Sequence, residues 1–143
     1  MRIAKAEDTL PIANMLKRMA IEILPEYASD DDDVYWNEVF KYMRDPEYYV
    51  YVDHKYRGFF MVKDDIDPIY EDYHRYIFTK IYIYPEYRGG RVYKNMTEKV
   101  IEDFKDGDVI GVTEINSPHI HTLEKRHERI ANVYKLNKEL RWE

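Results

Sequence analysis

Ile81-Tyr82-Ile83-Tyr84-Pro85-Glu86-Tyr87-Arg88-Gly89-Gly90-Arg91-Val92-Tyr93 is the stretch whose reading decides the fold. Its first four residues alternate β-branched and aromatic side chains, which suit a pleated strand, and the strand-like run reaches back over Tyr76 to Tyr84. Pro85 and the Gly89-Gly90 pair then break the pattern and mark a turn. Beyond the turn, Tyr93, Met96, Val100, Ile101 and Phe104 recur at helical spacing. A strand feeding a glycine turn feeding a helix is therefore the expected centre of the chain.

Working back towards the N-terminus, Tyr48 to Val52 and Gly58 to Lys63 read as two further strands. They are separated by Asp53-His54-Lys55, and the acidic loop from Asp64 to Asp72 leads to the third, so the three predict an antiparallel meander. Two helices precede them. In the first, Asp8 or Thr9 supplies a cap and Pro11 falls in the opening turn. Ile12, Met15, Leu16, Met19, Ala20 and Ile23 form one apolar stripe, Lys17, Arg18 and Glu22 face water, and Pro25 ends the helix. In the second, Ser29 and the aspartates Asp30 to Asp33 favour a helix start, and Trp36, Val39, Phe40 and Met43 mark its apolar face. Arg2 to Ala6 reads as a short opening strand.

Towards the C-terminus, Asp106-Gly107-Asp108 stops the central helix and Val109 to Ile115 reads as a fifth strand. Ser117-Pro118 then starts a helix near His119 to Arg126, and Ile130 to Leu140 alternates like a closing strand. The expected order is β-α-α-β-β-β-α-β-α-β in one domain spanning residues 1–143, an α/β (α+β) fold with a mixed, mostly antiparallel sheet flanked by helices.

Composition bounds the function. A net charge of −6 over 143 residues argues against a general binder of phosphate backbones, so nucleic acid is not an expected direct ligand. With no cysteine, thiolate zinc sites and thiol nucleophiles are excluded. The charged opening sequence and the lack of a long apolar run predict a cytoplasmic protein without a membrane span. His119 and His121, two apart at a helix start, would lie on different faces, so no metal site is expected there. The aspartates at 30 to 33 read as a solvated helix cap, with a cation site or an acidic surface for a basic partner as the rival readings. Tyr48, Tyr49, Tyr51 and Tyr56 suit half-buried strands or the lining of a substrate cleft.

The segment from Ile81 to Tyr93 resembles the acyl-CoA-binding segment of the GNAT N-acyltransferase superfamily. Two further stretches are similar to that superfamily in the same order: Arg2 to Ile12, and Asn116-Ser117-Pro118-His119-Ile120-His121-Thr122-Leu123-Glu124-Lys125-Arg126-His127. The resemblance implies acetyl-CoA or another acyl-CoA as cofactor and an amine acceptor as second substrate. Amides of Arg88, Gly89, Gly90, Arg91, Val92 and Tyr93 would hold the pyrophosphate, as unpaired N–H groups at a helix start and the helix dipole suit a concentrated anion. The strand from Ile81 to Ile83 would bond the pantetheine arm as an added strand would, and Asn116 matches a position that touches this arm.

Direct attack of an amine on a thioester needs a base for the ammonium and donors for the oxyanion, and Glu114 and Tyr82 are the candidates. The chain departs from the family pattern at Arg91 and Tyr93, which stand where small residues are usual. It departs again at Leu123, which stands where a proton-donating tyrosine is frequent, and at His127-Glu128 in place of Gly-Phe. Tyr134 is a substitute acid if the last segment is helical. These departures motivate the rival expectation of a catalytically degenerate binding or structural module, of a type found in tailed phages. A homodimer stays open.

Overall fold

The computed structural model describes residues 1–66, 68–70 and 73–111, and its elements follow the expected order as far as that description runs. Strand β1 (Arg2–Ile3) is followed by helices α1 (Thr9–Ile23) and α2 (Asp32–Arg44), and strands β2 (Tyr48–Val52), β3 (Gly58–Asp65) and β4 (Arg75–Ile83) form the meander. Helix α3 (Arg91–Asp103) then leads to β5 (Asp108–Gly111). The expected last helix and closing strand lie outside the described residues, as do Glu114, Asn116, His119, His121, Leu123 and Tyr134.

The sheet order is β1-β2-β3-β4-β5, antiparallel at the first three junctions and parallel between β4 and β5. A parallel pair needs a crossover, and α3 supplies it. Alternation along the strands divides the core in two. Val50, Val52, Phe59, Met61 and Tyr82 face α1 and α2, where they meet Ile12, Met15, Leu16 and Val39. Tyr51, Phe60, Val62, Tyr76 and Ile83 face α3, where they meet Val92, Met96, Val100 and Phe104. Tyr51 and Phe60 stack across β2 and β3 with ring centroids 4.6 Å apart, and the Tyr51 hydroxyl donates to Asp103 at 2.6 Å, tying α3 to the sheet.

Three local readings differ from the structure, and a fourth, at Glu22, holds but gains a partner. Asp8 precedes α1 but its side chain does not cap it: the carboxylate is buried and accepts from both guanidinium nitrogens of Arg2, from the Tyr56 hydroxyl and from the Lys5 amide. The Arg2 hydrogen bonds hold the Asp8 carboxyl well below the usual carboxylate range. On α2 the buried residues are Tyr35 and Val39, while Trp36 keeps 38% of its surface and stacks on Phe40. On α3, Ile101 points outwards at 65% exposure, so Val92 and Met96 carry the stripe with Val100. Glu22 stays on the open side of α1 but turns its carboxylate onto Arg88.

Gly58 permits the close contact that brings β3, β4 and α3 together. A Cβ there would lie 2.9 Å from the Tyr82 carbonyl oxygen and 3.3 Å from the Val92 Cγ1.

Candidate functional site

Strand β4 changes character halfway along. Tyr76 and Phe78 face α3, yet so do Ile81 and Ile83, an alternation that is consistent only if one residue is inserted between them. The β3–β4 register shows the insertion: Met61 pairs with Lys80 and Val62 with Phe78, so Thr79 is left over as a β-bulge. A bulge bends its strand and sharpens the twist, and such features recur beside binding sites. The described pairing of β4 with β5 runs from Arg75 to Phe78 and so reaches the bulge. Lys80 to Ile83 continue past it towards the turn.

The turn begins as a single 3-10 turn, Pro85–Tyr87, closed by Tyr87 N–H to the Tyr84 carbonyl at 2.9 Å and Arg88 N–H to the Pro85 carbonyl at 3.3 Å. Gly89 follows with φ of +78°, a conformation that costs glycine nothing and any other residue strain. Gly90 is the N-cap of α3, and no side chain caps the helix there. Among the described residues the N–H groups of Gly89 and Gly90 donate to no acceptor, and the first amides of a 13-residue helix have no partner within it. Among the described residues a Cβ on Gly89 would meet nothing within 4 Å, so they leave this side of the turn open.

The two bulky departures do not close it. Arg91 is exposed at the first helical position, where its cation adds to the positive end of the helix dipole. Tyr93 is partly buried and packs into the layer between α3 and the sheet. Val92 is buried in the same layer, so both residues contribute main-chain atoms to the helix start and side chains to the core. Among the described residues the donor set therefore fits a diphosphate: the unpartnered amides of Gly89 and Gly90, an uncapped helix start, an exposed guanidinium and open space.

Arg88 has a role that its position in the turn does not suggest. Its Nε donates to the Ile83 carbonyl at 2.9 Å, and its two terminal nitrogens grip Glu22 at 2.6 and 2.8 Å. The side chain thus folds back from the turn to the last residue of β4 and to α1. Its guanidinium also lies 5.3 Å from the centre of the Tyr82 ring. Tyr82 is 2% exposed, and among the described residues its buried hydroxyl has no hydrogen-bond partner. Burial first, then the adjacent Glu22 carboxylate, pushes its pKa up to about 12, with Arg88 and Arg18 opposing. At neutral pH it is a neutral donor. Sequence reasoning missed Glu22, since 66 residues separate it from Arg88 and no short-range pattern joins them.

Of the residues singled out from sequence, Ile81, Tyr82 and Ile83 end β4, Arg88, Gly89 and Gly90 form the turn, and Arg91, Val92 and Tyr93 open α3. These nine are brought to one end of the sheet. Glu114 and Asn116 lie outside the described residues. Among the described residues no group of histidine and acidic side chains could hold a metal ion, and no helix is long and apolar enough to cross a membrane.

No family model and no curated protein matches the sequence. Solved structures do resemble the fold. A ribosomal-protein-alanine N-acetyltransferase from Brucella melitensis biovar Abortus 2308 matches with a TM-score of 0.72 at 15% identity, over 95% of this chain and 96% of the other. A predicted acetyltransferase from Clostridium acetobutylicum, solved with acetyl-CoA, gives 0.71 at 15% identity, over 95% and 94%. The aminoglycoside N-acetyltransferase AAC(6')-Iy in complex with CoA gives 0.73 at 13% identity, over 97% and 93%. At such identities the likeness carries the architecture alone. The chain has the fold of the GNAT acetyltransferases.

Proposed function

We propose that the protein is a cytoplasmic acyl-CoA-dependent N-acyltransferase, with acetyl-CoA as donor and a primary amine of a small molecule or protein as acceptor. The observation that carries this reading is the uncapped start of α3, with two unpartnered glycine amides in front of it on an open side of the turn. When bound, the acyl-CoA supplies a thioester carbonyl activated for attack by an amine. The chain's own parts then divide the work. Amides of Gly89, Gly90 and the first turn of α3 hold the diphosphate. The backbone of Ile81 to Ile83, released from sheet parity by the Thr79 bulge, presents main-chain groups to the pantetheine arm. Tyr82, neutral at physiological pH, contributes a donor, and the base role falls to Glu114. Asn116 is assigned to the cofactor arm, and one domain over residues 1–143 is the proposed unit of function.

Titration calorimetry with acetyl-CoA and with free CoA tests the reading. A dissociation constant in the micromolar range supports it, and absence of both heat and thermal shift at millimolar ligand removes it. A second reading, a CoA-binding module without turnover, is favoured by the burial of Tyr82. CoA binding without thiol release across a broad amine panel would select it over the first.

A further inference from the structure

We propose that Glu22, on α1, is a positioning residue for the diphosphate-binding turn, acting through Arg88. The inference rests on the reading of that turn given above and adds a residue from a different part of the chain.

Among the described residues the turn has few other hydrogen-bonded fastenings. Its internal bonds, Tyr87 to Tyr84 and Arg88 to Pro85, define a 3-10 turn but do not fix it relative to the sheet. Tyr84 N–H to the Arg57 carbonyl, at 3.0 Å, anchors only its first residue. Just after it come two exposed glycines, one of them in the left-handed region, the residue type with the most backbone freedom to lose. The Arg88 side chain is the strut across this gap. Through Nε it binds the carbonyl that ends β4, and through both terminal nitrogens it binds the carboxylate of Glu22. A planar fork held at three points fixes the direction in which the chain leaves Arg88, and with it the aim of the Gly89 and Gly90 amides.

Glu22 is the replaceable half of this strut. The Ile83 carbonyl is backbone and always present, whereas the carboxylate fixes the distal end of the guanidinium and neutralises its charge. Without Glu22 the guanidinium keeps the Ile83 bond and its contact with the Tyr82 ring but loses the fork that fixes its distal end, so the turn samples other conformations before ligand binds. The cost appears as lost affinity for the diphosphate, because the order must then be imposed at binding.

The experiment uses the intact chain and free CoA as probe. Titration calorimetry is run on the wild type, Glu22→Gln, Arg88→Lys and the double variant, with amide hydrogen exchange at Gly89 and Gly90 as a readout independent of ligand. Glu22→Gln is expected to weaken CoA about tenfold and to speed exchange at both glycines, with the unfolding midpoint little changed. Arg88→Lys keeps the charge but loses the fork, and is expected to weaken CoA at least as much. If Glu22 acts through Arg88, the double variant loses no more than Arg88→Lys alone. Losses that multiply, or wild-type affinity in Glu22→Gln, would overturn the inference while leaving the binding turn intact. Absence of CoA binding by the wild type would overturn the proposed function and this inference with it.

Discussion

Replacing Tyr82 by phenylalanine separates its structural cost from its chemical use. The hydroxyl is buried and forms no hydrogen bond among the described residues, while the ring sits in the layer facing α1 and α2. Leaving a buried hydroxyl unpaired costs about 1–3 kcal/mol, and removing it returns that cost. Attraction between the hydroxyl and the nearby Glu22 charge offsets part of the gain. Tyr82→Phe is therefore expected to stabilise the fold by about 1 kcal/mol, or roughly 3 °C in midpoint for a chain of this size. Urea unfolding with an unchanged slope measures it. Under the proposed donor role the same variant lowers kcat for acyl transfer and leaves CoA affinity alone. Alkali adds a second signature. The folded hydroxyl titrates near 12, against an ordinary value of 10.0. Above pH 10 the unfolded chain therefore releases a proton that the folded one keeps, and wild-type stability falls as pH rises. The variant should lack its share of that fall. A loss of 1 kcal/mol at neutral pH would refute the reasoning, for it would mean that the hydroxyl is paired after all.

Gly89→Ala places a methyl group within 4 Å of no atom of the described residues, so the expected cost to stability is the backbone strain, about 1 kcal/mol. Calorimetry should show a CoA affinity at least tenfold weaker, since the methyl enters the space assigned to diphosphate; unchanged affinity would put the ligand elsewhere. Gly58→Ala forces a Cβ to within 2.9 Å of the Tyr82 carbonyl oxygen, and a loss of about 1–3 kcal/mol in urea unfolding is expected. Asp8 is held low by the Arg2 and Tyr56 hydrogen bonds, so it contributes stability above the ordinary carboxylate pKa and loses it as pH falls below about 4. Asp8→Asn should flatten that acid limb, measured by midpoint against pH, and cost about 2 kcal/mol at pH 7.

Much of the fold was legible because its signals are local. Alternation in Tyr48–Val52 sets one face of β2 against the helices and needs no knowledge of the partner strand. The helical stripe from Ile12 to Leu16 and the stop at Pro25 are equally local. The misreadings have two causes. At Asp8, the rule that an acid before a helix caps it was overridden by Arg2, whose two terminal nitrogens take the carboxylate, with the Lys5 amide and the Tyr56 hydroxyl completing its set of donors. At Trp36 and Ile101, apolar character was taken as burial, but a helix on a two-layer core buries one narrow stripe and leaves its flanks in water.

The candidate site was half legible for the same physical reason. Backbone function can be read from glycine and proline, whose conformational preferences are their own, so Gly89, Gly90 and the start of α3 stood out without any structure. Side-chain function cannot be read this way. Arg88 was read as offering its amide to the diphosphate, yet that amide donates to the Pro85 carbonyl, and its guanidinium is turned to Ile83 and Glu22. The bulge at Thr79 left no mark either, because Ile77, Phe78, Ile81 and Ile83 read as an unbroken strand until the register with β3 is known. Both features act at the same place, one bending β4 into the turn and the other fastening the turn's far end to α1. If the strut and the bulge together set the aim of the glycine amides, substitutions at Glu22 and at Thr79 should alter CoA affinity by different routes. Their effects should then multiply in a double variant, unlike those of Glu22 and Arg88.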